Sequence, residues 1–137
     1  MIKPAFSFLF LAFLLLSACS QESRLQRFER ETQDYTHRNC PRRVDRDGTI
    51  TLDSLVFHDD GSLDYMYCYS INASDQDLAT INRNIGTLRS NFLSSIQNDP
   101  ELRHVREEGL NIIYLYFNPA THEELGRLRF TPDDYGQ

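Results

Sequence analysis

The sequence predicts an α+β domain: a small antiparallel four-stranded sheet in α-ββ-α-ββ order, with a long helix packed on one face. Three observations carry this prediction. Two pairs of short strand-like runs, each pair joined by a turn, read as hairpins. Between the pairs, Leu78, Ile81, Ile85, Leu88, Phe92 and Ile96 recur at helical spacing. Ahead of the first pair, Ser23 and Gln26 form a capping-box pattern that opens another helical stretch.

In chain order, Leu25, Phe28, Thr32 and Tyr35 follow that cap at helical spacing, and Pro41 blocks continuation past Asn39 and Cys40. The apolar stripe is narrow, so this first helix is expected to pack weakly, with the second face of the sheet open to it. The first strand spans Thr49 to His58, Asp59-Asp60-Gly61-Ser62 turns, and Leu63 to Ile71 is the second strand. Ser74 and Asp77 cap the long helix, in which Gly86 costs about 1 kcal/mol relative to Ala. Asp99-Pro100 begins a short extra helical turn closed by Gly109. Leu110 to Phe117 is apolar on both faces, the mark of a central strand covered on both sides. After Asn118-Pro119-Ala120-Thr121, Leu125 to Phe130 alternates Leu128 and Phe130 with Arg127 and Arg129, as a half-exposed strand does.

The N-terminus has a different character. Lys3 precedes an apolar run from Ala5 to Leu16, and small residues Ser17 and Ala18 lead into Cys19. A charged start, an apolar centre and a small-residue end make a secretory signal. The run is shorter than the ~20 residues that span a bilayer. Leu16-Ser17-Ala18-Cys19 resembles the lipobox of bacterial lipoproteins. That resemblance implies cleavage before Cys19, a diacylglyceryl thioether on its sulfur, and an acylated amine, with palmitate-type chains in the bilayer. Ser20 after the cysteine implies the outer membrane, facing the periplasm, rather than the inner membrane.

The expected organisation is therefore a signal peptide (1–18), a lipidated tether (19–22) and a single domain (23–137). Four tether residues reach about 14 Å at ~3.5 Å each, which keeps the domain close to the membrane.

Composition excludes several functions. The chain has 137 residues and a formal net charge of −6, and Lys3 is its only lysine. The expected mature part carries thirteen arginines against twenty acidic residues. Nucleic acid is thus not an expected partner, because phosphate binding needs clustered cations. Lysine chemistry, from Schiff bases to phosphate clamps, is removed as well.

Cys40 and Cys68 remain after Cys19. In an oxidising envelope an even pair is most simply a disulfide, and there is no C-x-x-C to suggest redox work. Closing that loop contributes about 3.5 kcal/mol on the chain-entropy model.

No metal or cofactor is expected. His37, His58, His104 and His122 are scattered without H-x-H or H-E-x-x-H spacing. Asp45-Arg46-Asp47-Gly48-Thr49 begins like a calcium loop, but its glycine comes two residues early and its twelfth position is Val56. The acidic pairs Glu107-Glu108, Glu123-Glu124 and Asp133-Asp134 are sequence neighbours, which does not define an acid/base pair. No catalytic residue is nominated.

Two groups remain as candidate contact surfaces. Tyr65, Tyr67 and Tyr69 share one strand face, as do Tyr114 and Tyr116; together they suit a Tyr-rich core under the long helix, or an aromatic strip for a partner. Arg38, Arg42, Arg43 and Arg46 form a basic cluster suited to anionic lipid headgroups at about 1 kcal/mol each, or to offsetting nearby acids. The function expected is that of a membrane-anchored, non-enzymatic accessory subunit docking on another envelope protein. The alternative is a periplasmic ligand- or peptidoglycan-binding module, or a hydrolase.

Overall fold

The computed structural model describes residues 23–136, so the signal peptide, the lipobox with Cys19 and the tether lie outside the described residues. The chain folds as α1 (Arg24–Asn39), β1 (Arg42–Arg43), β2 (Ile50–Asp59), β3 (Leu63–Ile71), α2 (Asp75–Arg83) and α3 (Ile85–Asn98). A 3₁₀ turn (Pro100–Leu102), α4 (Arg103–Glu107), β4 (Asn111–Phe117), β5 (Glu124–Phe130) and α5 (Pro132–Tyr135) follow. The α+β class therefore holds, with the strands in one five-stranded sheet of order β1-β2-β3-β4-β5.

Two expectations about the sheet are corrected. It has five strands rather than four, because Arg42 and Arg43 pair with Leu52 and Thr51. It is also not wholly antiparallel: β3 and β4 run parallel, with Tyr65, Tyr67 and Tyr69 opposite Ile112, Tyr114 and Tyr116. The physical reason is the connection. A helical crossover carries the chain back to the end at which β3 began, so the next strand runs the same way.

The long helix is also two helices. Asn84 leaves helical geometry at φ −103° and ψ 11°, ending α2 and opening α3. Its side-chain amide donates to Thr80 C=O, giving the residue a local alternative to continuing the helix.

Both long packing helices lie on the tyrosine face of the sheet. From α1, Phe28 meets Phe57 and Tyr65; from α3, Phe92 lies 4.5 Å from the Tyr114 ring and Ile96 is fully buried. This corrects the placement of α1 on the opposite face, and also its expected weak packing. Phe28 and Thr32 are buried, and the Thr36 hydroxyl accepts from Leu55 N–H at 2.8 Å and donates to Leu55 C=O at 2.9 Å. A helix side chain thus completes the edge of β2 where β1 has ended.

The predicted caps are present. Ser23 with Gln26 and Ser74 with Asp77 both form reciprocal capping boxes. Asp99 caps the 3₁₀ turn, and Gly109 at φ +69° closes α4 in the conformation glycine tolerates best. Arg106 donates to Ile96 C=O and Asp99 C=O, tying the end of α3 to α4. The terminal α5 was not foreseen, although Thr131-Pro132-Asp133-Asp134 carries its cap and first-turn proline. It delivers Tyr135 into the core, whose hydroxyl donates to Leu110 C=O at 2.7 Å.

Candidate functional site: an apolar groove beside an edge strand

The site begins with a packing deficit. Helix α2 has no buried residue, and Ile85 at the start of α3 is 43% exposed. The helical pair therefore roofs the sheet without closing on it. Leu78 and Ile81 of α2 and Ile85, Leu88 and Phe92 of α3 form one wall of a groove. Ile50 and Ile71 form its floor on the β2–β3 side, and Tyr116, Leu125 and Leu128 form it on the β4–β5 side. The groove encloses about 280 Å³. That is just under the ~300–1,000 Å³ of small-molecule pockets; Asn82 lines it with a polar side chain, and Arg127 borders it at the sheet edge.

Gly126, opposite Tyr116, leaves the groove open at the sheet edge: a Cβ built there meets nothing within 4 Å. Beside it, Arg127 is ion-paired with Glu124. Arg89 lies 4.5 Å over the Phe130 ring, approaches Asp134 at 3.5 Å and donates to Arg129 C=O at 3.0 Å.

The groove sits at one end of the molecule. Phe28, one turn into α1, packs at Tyr65, whereas the groove floor lies at Ile71, six residues along β3. At ~3.3 Å per residue the far end of the groove is about 20 Å along the sheet from the Tyr65 level of α1, whereas its near end, at Leu128 and Phe92, lies beside Tyr114 and Tyr67.

The five tyrosines are brought together, as core rather than surface. Tyr65 and Tyr114 are buried, and Tyr67, Tyr69 and Tyr116 are half-buried. Tyr67 stacks on Tyr114 at 5.0 Å and Tyr69 on Tyr116 at 5.3 Å. Burial pushes the hydroxyls of Tyr65 and Tyr116 up to about 12. Burial first, and neighbouring tyrosines second, also raise Tyr67, Tyr69 and Tyr114. Only Tyr116 of the five lines the groove.

The basic cluster is exposed around β1 and its following turn. A sixteen-residue α1 is about 24 Å long, so Arg38 and the three arginines after it stand at the end opposite Ser23. Cys40 and Cys68 are not joined in the structure. Burial raises both, and the Asp53 carboxylate adds to the rise in each.

The histidines do not converge. His104 stacks on Phe28 at 5.4 Å and approaches Glu31 at 3.3 Å, while His122 occupies a turn at φ +59°. Among the described residues no three His, Cys, Asp or Glu side chains gather to hold a metal ion. The Asp45 carboxylate is committed to the N–H groups of Thr49 and Ile50, which hold it below the usual range. Among the described residues no helix is long and apolar enough to cross a membrane.

A family model described as "Domain of unknown function (DUF8479)" matches residues 23–126, and the chain belongs to that family. No curated protein matches it by sequence. The fold is similar to the crystal structure of a Pseudomonas aeruginosa protein provisionally described as secreted. The TM-score is 0.67 at 14% identity, covering 84% of this chain and 99% of that one.

Proposed function

We propose that the chain is an envelope lipoprotein, anchored through acylated Cys19, whose domain docks non-enzymatically on another envelope protein through the α2–α3 groove. The observation that carries this reading is an open apolar groove between the α2–α3 pair and the sheet, extending to Ile71 at the end of β3. A four-residue tether spans about 14 Å, less than the ~20 Å along β3 from the Tyr65 level of α1 to the far end of the groove at Ile71. The far end of the groove therefore lies beyond the reach of the chain's own tether. Its wall of partly exposed Leu and Ile is what a partner segment would cover, and apolar patches of this kind mark interaction sites. The Pseudomonas protein described as secreted agrees with a place outside the cytoplasm. An outer-membrane location rests on Ser20 and the lipobox.

The test is covalent cross-linking in membranes, followed by affinity capture and mass spectrometry, for wild type, Cys19→Ala and Ile85→Asp. One stoichiometric envelope protein, lost in both variants, is expected. A soluble wild-type chain without acyl groups removes the anchor. Undiminished capture by Ile85→Asp removes the groove. Because Ile85 is already exposed, its substitution leaves the fold intact.

A further inference from the structure

The sheet ends at β5, and the hydrogen-bond pattern shows which of its groups face outward. Asn118 N–H donates to Glu123 C=O, so Phe117 and Glu124 form a non-bonded pair of the antiparallel ladder. The register shift before Tyr116 then makes Gly126, Leu128 and Phe130 the residues that bond β4. Arg127 and Arg129 turn their N–H and C=O groups away from the sheet. The Arg89 guanidinium, donating to Arg129 C=O, agrees with this phase and closes the edge at that end. Toward the hairpin no other strand of the described residues pairs with the edge, and the groove and the empty space over Gly126 lie directly beneath it.

Resting on the docking reading above, we propose that this edge takes up an extended segment of the partner protein as a sixth strand, with alternating apolar and acidic side chains. Strand addition places alternate side chains of the incoming segment on opposite faces. On the groove side they enter beside Gly126 and Leu128, where the surroundings are apolar. On the other side they meet the exposed Arg127 and Arg129, which call for acidic groups.

The same charges disfavour a second copy, since two antiparallel β5 edges centred on Arg127 would set arginine against arginine. The chain's own tether is disfavoured by reach: Gly126 stands at the level of Tyr69, four residues along and two strands across from Tyr65, about 16 Å against ~14 Å of tether.

The probe is the synthetic peptide Ac-Glu-Val-Glu-Val-Glu-Val-Glu-NH₂, with Ac-Lys-Val-Lys-Val-Lys-Val-Lys-NH₂ as comparison, added to the soluble Cys19→Ala protein. Amide hydrogen exchange and peptide affinity are read together. The acidic peptide is expected to slow exchange at the Arg127 and Arg129 amides and to bind about tenfold or more tightly than the basic one. Gly126→Val, which fills open space without a clash, should weaken binding about tenfold while the melting temperature stays unchanged. Arg129→Glu should reverse the preference.

Equal affinity for the two peptides, no binding of either, or unprotected edge amides at saturation each overturns strand addition. Protection of the same amides in a dimer without peptide overturns it in favour of a second copy. Ile85-dependent cross-linking in membranes with unprotected edge amides would leave docking standing and sink the strand.

Discussion

Two threonines one helical turn apart test how α1 is held. The Thr36 hydroxyl both accepts from Leu55 N–H and donates to Leu55 C=O, substituting for a neighbouring strand. The Thr32 hydroxyl donates to Phe28 C=O and Glu29 C=O, which already serve the helix's own ladder. Replacing either by Val keeps the branched shape and removes the hydroxyl. At Thr36 two strand groups then lose their partners. A polar group left buried and unpaired costs about 1–3 kcal/mol, and these are part-buried, so the expected loss is about 2 kcal/mol in total. For a domain of this size that lowers Tm by roughly 8 °C. At Thr32 no partner is orphaned, and the change should stay within about 0.5 kcal/mol. Urea titration followed by circular dichroism measures both, with an unchanged slope confirming that only stability moved. Equal effects at the two positions, or a Thr36→Val shift below about 2 °C, would refute the role given to this edge closure.

Acid should destabilise the domain through its turn and cap carboxylates. Backbone N–H groups, Ile50 foremost at Asp45 and Thr131 at Asp134, and the Ser74 hydroxyl at Asp77, hold these carboxyls below their usual range. A depressed folded pKa stabilises above the unfolded value of about 3.9, and that contribution disappears as the pH falls through the folded value. Tm should therefore be flat from about pH 5 to 7 and drop below about 4; a Tm constant to pH 2 would contradict the assignment. We also propose that Cys40 and Cys68 join as a disulfide in the oxidising envelope, both lying near Asp53. Protein purified without reductant should resist thiol alkylation and lose Tm on reduction, whereas two alkylated cysteines would end that proposal.

Much of the fold is legible in the sequence because local rules agree there. Ser23-x-x-Gln26 and Ser74-x-x-Asp77 mark helix starts that the structure keeps. The doubly apolar Ile112–Leu115 stretch reads as an inner strand, and β4 lies between β3 and β5. What fails depends on distant partners. Nothing local tells Arg42-Arg43 to pair with Leu52, or distinguishes a crossover that returns beside β3 in parallel. The split at Asn84 is hidden in the sequence because the apolar stripe runs regularly across it from Leu78 to Ile96. The narrow stripe of α1 understated its burial because Thr32 satisfies its hydroxyl within the helix and Thr36 finds its partner at Leu55 of β2.

The candidate site was only half readable. Its apolar wall was predicted as a helix stripe, but the stripe was expected to close on the sheet. An open groove appears only once α2 is seen to bury none of its residues. The tyrosines, conspicuous in composition, became the core beneath the helices, while the edge strand and Gly126 carried no local signal of their position.

The most direct test of the docking reading is site-specific photo-cross-linking in intact cells, with the reactive group placed at Ile85 or at Val44. Both side chains are exposed, at 43% and 52%, but only Ile85 lines the groove. A single envelope-protein adduct is expected from position 85 and none from position 44. Adducts at position 44 alone, or at neither position while wild type remains membrane-bound, would contradict docking through the groove.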